Sequence, residues 1–287
     1  MTSFDLRRDP LTGIESVITG GRQQRPNLPS TGCPFCVGGL EAPDPYDVRW
    51  FTNRWPAISD GRAEVILYTP DHDASFWSLG VDGATSVVAL WARRTEQLGG
   101  RDDVAYVLPF ENRGPEVGAT IAHPHGQLYA FPHVPEAAQR ELDAPSCRLC
   151  TMTGPDERLV HEGEGWITEV PLAAPWPFEL LLRPTDHVAD LPSAGPAGHR
   201  GLGAALVDGL ARLDRLFDAP MPYMLWVHQR PTDGASWPAA HLHVHVAPLL
   251  RSAGTPRFVA AGELGSGMYF NPVAPEDAAA RLREVGA

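Results

Sequence analysis

Lysine is missing from all 287 residues, so the 23 basic side chains are arginine without exception. That absence excludes a Schiff-base amine, a pyridoxal-phosphate anchor and the lysine of a phosphate-binding loop. No run of about 18 apolar residues is present to span a bilayer, and the opening Met1-Thr-Ser-Phe-Asp-Leu-Arg-Arg has no apolar signal core. The sequence therefore predicts a cytoplasmic protein with no membrane partner. Positive charge is scarce beside 35 acidic residues, and the net charge of −12 predicts no nucleic-acid partner, because such a partner needs a basic face. Any phosphate must meet locally placed arginines. Low-complexity tails and linkers are absent too.

What is present is an ordinary apolar content of 43%, with 28 Gly and 29 Pro to supply many turns. The four cysteines fall in two pairs, Cys33-Pro-Phe-Cys36 and Cys147-Arg-Leu-Cys150. In a reducing compartment such spacing suggests metal binding more than disulfides. The pairs belong to an internal repeat: Cys33 and Cys36 precede Cys147 and Cys150 by 114 residues, His72 precedes His187 by 115 and His123 precedes His241 by 118. Between the Asp-His pair and the later histidines of each half lies a helical pattern, near 81–98 and 198–217, with Leu202, Leu206, Leu210, Leu213 and Phe217 at three- and four-residue steps. The expected fold is α+β, two tandem halves at 1–138 and 139–287, each an antiparallel sheet with a long helix.

The repeat sorts the scarce ligands into two sets. Cys33, Cys36, His72 and His123 form one, and Cys147, Cys150, His187 and His241 the other. Two thiolates and two imidazoles suit tetrahedral zinc, and four protein ligands leave no position to activate water, so both sites are expected to be structural. Nothing in the sequence asks for an organic cofactor.

The string His123-Pro-His125-Gly-Gln127 follows Glu111-Asn112-Arg113-Gly114. In an extended segment His123, His125 and Gln127 share one face, so a ligand, a nucleophile and an amide stand in a row. A neutral imidazole attacks phosphorus well near neutral pH, which makes His125 the candidate nucleophile and Gln127 the donor to a phosphoryl oxygen. Gly114 and Gly118 allow close main-chain approach to phosphates, and Thr120 adds a hydroxyl. The second cluster, His241-Leu-His243-Val-His245, is one-faced in the same way.

These residues resemble the signature of the galactose-1-phosphate uridylyltransferases, a branch of the histidine-triad superfamily. The likeness runs from Arg7-Arg-Asp-Pro-Leu-Thr-Gly13 through Cys33-Pro-Phe-Cys36, Phe51-Thr-Asn53 and Thr69-Pro-Asp-His72 to His241-Leu-His-Val-His245 and Pro248-Leu-Leu-Arg-Ser252. The resemblance implies two tandem histidine-triad folds and a double displacement: His125 takes UMP from a UDP-sugar as a uridylyl-histidine, then yields it to a second sugar 1-phosphate. It also implies that Arg22, Arg25, Asn53 and Asn112 contact nucleotide or phosphate, with Gln127 on the transferred group. It further implies a homodimer whose site the partner chain completes. Well-known members carry a further metal held by a glutamate and three histidines, at the positions of Glu141, His228, His243 and His245. The repeat instead assigns the later cysteines to His187 and His241.

At the sugar end the family's lysine and phenylalanine correspond to Arg257 and Phe258, and its glutamate to Glu263, while the accompanying tyrosine is replaced. The run from Gly262 to Met268 reads as a turn. A rival reading is a histidine-triad hydrolase or phosphorylase that uses His243, and a second is a non-catalytic zinc-knuckle interaction protein. Trp50, Trp55, Trp166 and Trp226 are expected in the core.

Overall fold

The computed structural model describes residues 5–19, 32–152 and 157–286; Arg22 and Arg25 lie outside them. In chain order the elements are β1 (Asp5–Arg8), β2 (Glu15–Ile18), β3 (Arg49–Thr52), β4 (Ala63–Leu67), α1 (Gly80–Gly99), β5 (Tyr106–Arg113), β6 (His125–Phe131), α2 (Glu136–Leu142) and α3 (Arg148–Thr151). There follow β7 (Leu159–Gly163), β8 (Trp166–Glu169), β9 (Leu180–Pro184), α4 (Leu191–Arg215), β10 (Tyr223–His228), β11 (His243–Pro248), β12 (Leu250–Ser252), β13 (Thr255–Pro256), α5 (Ala261–Ser266) and α6 (Pro275–Glu284). No helix among the described residues is long and apolar enough to cross a membrane.

Nine strands form one antiparallel sheet in the order β3-β4-β6-β5-β10-β11-β9-β8-β7. The order β3-β4-β6-β5 is mirrored by β8-β9-β11-β10, and α1 and α4 occupy matching places in the chain, so the repeat seen in the cysteines and histidines is a repeat of fold. The two four-stranded copies are joined edge to edge where β5 pairs with β10. Phe110 and Trp226, which correspond under the repeat, are partners across that join. Residue 138 falls inside α2.

Both long helices cover one face. The leucine stripe of α4, Leu202, Leu206, Leu210 and Leu213, is buried with Val87, Val88 and Trp91 of α1 against Ile66, Val107, Leu128, Leu182 and Val244 of the sheet. Each such side chain contributes roughly 1.5–3 kcal/mol of burial. The helices approach closely at Gly203, where an added Cβ would lie 2.9 Å from the Thr85 amide. α4 begins at an Asp190 capping box and breaks at Gly195, where the chain has φ 64° just before Pro196.

The tryptophans divide. Trp166 is buried, but Trp50 and Trp55 are 42% and 44% exposed, contrary to the core expectation. Trp50 stands on the edge strand β3 and lies under the Arg94 guanidinium, 3.5 Å from carbon to ring centroid. Arg94 is in turn paired to buried Glu64 through hydrogen bonds of 2.8 and 2.5 Å. Trp226 is half-buried and stacks on His245 at 4.9 Å. The Gly262–Met268 run, expected as a turn, is mostly helix α5, ended by Gly267 at φ 70°.

Candidate active site and metal clusters

The sheet face opposite the helices carries the chemistry, and strand register decides which side chains meet there. Leu67, on β4, and His125 are partners, as are Val65 and Gln127. Gln127 is also opposite Phe110, so the register continued by two residues sets Asn112 beside His125. Phe35 of the first cysteine loop packs edge-on to the His125 ring at 5.1 Å. His125 is half-buried and belongs to none of the three clusters described below.

One hydrogen bond determines what His125 can do. Its Nδ1 lies 2.8 Å from the carbonyl oxygen of His123, and a carbonyl only accepts, so Nδ1 carries the proton and the lone pair is on Nε2. The backbone at His123 is fixed in turn by the first cluster. Beside it, the loop after β5 has Gly114 at φ 100° and Gly118 at φ 88°, conformations that favour glycine, with Thr120 following. Asn53 is held by its amide to the Ala63 carbonyl at 2.8 Å, and its Oδ1 accepts from Trp55 at 2.9 Å.

The two cysteine pairs meet the histidines that the repeat assigned them. Cys36 Sγ is 3.6 Å from His72 Nδ1 and 3.7 Å from His123 Nδ1, and Cys33 Sγ is 3.8 Å from His123 Nδ1. In the second cluster Cys147 is 3.2 Å from His241 Nδ1, and Cys150 is 3.3 Å from His187 Nδ1 and 3.4 Å from His241 Nδ1. A tetrahedral ion with ordinary zinc bond lengths has sulfur-to-nitrogen edges of about 3.5 Å, so the spacing fits. The outer nitrogens fit as well: His123 Nε2 donates to Thr69 O at 2.7 Å, and His241 Nε2 to Pro184 O at 3.3 Å, which turns both lone pairs toward the sulfurs. Burial lowers the His123 pKa, while burial and the neighbouring Cys33 push the Cys36 thiol up. A cation between the sulfurs removes that repulsion.

A third cluster is complete in addition to these two: ligand atoms of Glu141, His228, His243 and His245 lie within 4.8 Å of one another. This set and the second cysteine set thus stand as separate clusters, with no residue in common. Glu141 accepts from His228 Nδ1 at 2.8 Å and is 3.3 Å from His243 Nε2. Burial would raise the Glu141 carboxyl, but the hydrogen bond from His228 and the two neighbouring imidazoles outweigh it and hold the group far below the usual range. His243 repeats the geometry of His125, with Nδ1 2.7 Å from the His241 carbonyl. Its Nε2, however, faces Glu141, so the lone pair on that nitrogen is here directed into a cluster. This argues against the His243 hydrolase reading. A cavity of about 260 Å³ opens on this cluster, lined by Tyr106, Leu142, Leu181 and Ala240 among others. Glu141→Ala is expected to remove one equivalent of bound metal per chain, read by metal analysis of the purified protein. Unchanged content would mean that the third cluster holds none.

The sugar-end residues are gathered elsewhere. Arg257 is buried, pairs with Glu263, and lies over Trp176 at 4.6 Å, while Phe258 is 76% exposed. Trp176 and Glu179 lead into β9, four strand positions from β6, roughly 19 Å at ordinary strand spacing. Within one chain, Arg257, Phe258 and Glu263 therefore do not share a site with His125. The sequence also gave no sign that Arg113 is anchored by two hydrogen bonds to Asp214, at 2.6 and 3.0 Å, or that Glu111 is buried against Tyr223. Their partners lie more than 100 residues away, beyond any local pattern.

Comparison with known proteins agrees with this geometry. Residues 49–135 match the family model for the galactose-1-phosphate uridyl transferase N-terminal domain, and residues 151–287 match its C-terminal domain. A galactose-1-phosphate uridylyltransferase of Thermotoga maritima is 35% identical, covering 98% of both chains. An ADP-glucose phosphorylase of Arabidopsis thaliana is 26% identical over 99% of this chain and 93% of its own. A solved uridylyltransferase superposes with a TM-score of 0.89 at 28% identity over 98% of each chain. The Arabidopsis phosphorylase with bound ADP-glucose superposes at 0.80 and 26% identity, also over 98% of each chain. With both halves matched and relatives aligned along nearly their whole length, the chain belongs to the galactose-1-phosphate uridylyltransferase family.

Proposed function

We propose that this protein transfers UMP between a UDP-sugar and a sugar 1-phosphate through a covalent nucleotidyl group on His125. The observation that carries the reading is the hydrogen bond from His125 Nδ1 to the His123 carbonyl, which directs a nucleophilic lone pair from Nε2. In the first half-reaction Nε2 attacks the α-phosphorus, a P–N bond forms, and the P–O bond to the departing sugar 1-phosphate breaks. In the second, a phosphate oxygen of the acceptor attacks the same phosphorus and returns His125 to its neutral form. The positive charge on the substituted imidazole is stabilised by the Nδ1–H donor to the His123 carbonyl. Gln127 would hydrogen-bond the phosphoryl oxygens, with Asn112, Gly118 and Thr120 around them; Asn53 would serve the nucleotide, and the resemblance gives Arg22 and Arg25 to the phosphates.

The donor sets support zinc in the two Cys₂His₂ clusters and a divalent transition metal at Glu141, His228, His243 and His245. Bound zinc would supply structure there. His123 is a ligand whose carbonyl also orients the nucleophile, so the first cluster would both fasten a loop and position the reacting group. Residues 1–138 would form the transferring half and 139–287 the half that supports it. We read the protein as a cytoplasmic homodimer. The supporting observation is an exposed apolar run at the sugar end, with Phe258, Leu264, Met268, Tyr269 and Phe270 all more than half exposed. In such a dimer Arg257, Phe258 and Glu263 would serve the partner's site, as the family resemblance implies.

The Arabidopsis relative supports a second reading, in which an adenylyl group is moved from ADP-glucose to phosphate. One experiment separates the two and tests both. The intact protein is weighed after incubation with UDP-glucose, UDP-galactose or ADP-glucose, and the added mass is mapped by proteolysis. A uridylyl group on His125 that is discharged by galactose 1-phosphate is expected; an adenylyl group discharged by inorganic phosphate would favour the second reading, and no adduct from any donor would refute both.

A further inference from the structure

Beneath His125 and Gln127, on the helix side of the sheet, lies a small buried polar group that the transfer scheme leaves unused. Glu111 of β5 is 4% exposed, and its Oε1 accepts a 2.8 Å hydrogen bond from the Tyr223 hydroxyl of β10. The hydroxyl of Tyr68, the residue after β4, faces the same carboxyl from the other side. Neither Glu111 Oε2 nor the Tyr68 oxygen has a well-aligned partner, although both are shut away from solvent. Two orphaned oxygens in a core are costly, at about 1–3 kcal/mol each, so a role beyond packing is to be sought.

The connection to the reaction runs through Gly126, between His125 and Gln127. The Tyr68 hydroxyl presses so closely on this glycine that an added Cβ would collide with it, the Phe110 carbonyl lying 3.0 Å away on the β5 side. The Tyr68 hydroxyl thus limits how near β6 comes to the helix layer at Gly126, and the same hydroxyl faces the Glu111 carboxyl. Tyr223 brings in the other half of the molecule. Arg113, held by Asp214, lies over the Tyr223 ring at 5.7 Å and completes the charged surroundings of the group; α1 adds only the Trp91 indole against Tyr68.

We propose that Glu111, with Tyr68 and Tyr223, forms a positioning unit that braces Gly126 from below and so fixes the reach of His125 Nε2 and Gln127 toward phosphorus. The proposal rests on His125 being the nucleophile. An ionised carboxylate accepts from both phenol hydroxyls at once, and these hydrogen bonds favour that form against burial, whereas a neutral carboxyl is the weaker acceptor. Burial pushes Glu111 up to about 7, against the opposing hydrogen bonds and the charge of Arg113, and both phenols are pushed well above their usual range. The brace therefore tightens as Glu111 ionises, above that pH.

The test compares wild type, Glu111→Gln and Tyr68→Phe in single-turnover uridylylation with UDP-glucose from about pH 6 to pH 9. Gln cannot ionise, so it is expected to lack the gain in rate that wild type makes between about pH 7 and pH 9. Tyr68→Phe removes one oxygen and is expected to lower kcat about tenfold with KM within about twofold, since a small misplacement of a nucleophile acts on the chemical step. The same profile above pH 7 in wild type and Glu111→Gln, or an unchanged kcat in Tyr68→Phe, would overturn the proposal. If Glu111→Gln does not fold, Tyr68→Phe decides alone. Failure of the underlying reading looks different, because wild type would then carry no adduct on His125 at any pH.

Discussion

His125→Gly is expected to abolish uridylyl transfer, with a loss on the order of 10⁴-fold or more, as removal of a covalent nucleophile does in other enzymes. The protein offers no substitute. His123 is turned away by its place in the first cluster, with Nδ1 toward the cysteines and Nε2 toward Thr69 O. His243 copies the tautomer of His125 but faces Glu141 with its remaining nitrogen. The matching substitution His243→Gly is accordingly expected to leave adduct formation in place, at the expense of metal in the third cluster. Intact mass after exposure to UDP-glucose reads both variants. An adduct that survives His125→Gly, or vanishes only with His243→Gly, would transfer the nucleophile's role to the second half.

Loss of metal from the first cluster should have the next largest effect, and it should be felt twice. Structural zinc sites contribute apparent free energies of about 10–16 kcal/mol in small peptides, comparable with the whole stability of a domain at about 5–15 kcal/mol. Cys36→Ser is expected to lower the melting temperature steeply and also to slow nucleotidylation of whatever remains folded, because the carbonyl that orients His125 belongs to the ligand His123. Cys150→Ser should lower the melting temperature while folded molecules still form the adduct. Thermal melting and adduct mass, measured on the same samples with and without added zinc, separate the two effects. Equal rates in both variants would show that the first cluster fastens the fold and does nothing for the nucleophile.

Much of this site was legible in one chain because its chemistry depends on scarce residues. Four cysteines and eleven histidines leave few accidental matches, so constant offsets near 115 exposed the duplication, and period-two spacing put His123, His125 and Gln127 on one face. The same scarcity grouped the residues that the structure brings together in both cysteine clusters. What stayed hidden depends on contacts between distant segments. Alternation names the face of a strand but not its neighbour, so nothing local announced that β5 and β10 fuse two sheets into one. Glu111 reads as part of a phosphate motif, yet its side chain points the other way, toward Tyr223 from 112 residues along. Trp50 reads as core because tryptophan is large and apolar, and it is drawn to the surface by Arg94. Helix α5 escaped notice because three glycines mask it, while Glu263 caps its first turn through the Ala260 amide at 2.8 Å.

The seam at Phe110 and Trp226 has a consequence for how this protein can change. Two identical subunits meeting about such an axis would be bound to mirror each other, since one gene writes both, and any altered pocket would appear in duplicate. Joining the copies into a single polypeptide lifts that obligation. One histidine can take up transfer while its counterpart settles beside Glu141, and a substitution that would be ruinous in the first is tolerable in the second. Asymmetry of duty is thus a property of covalent continuity between the halves.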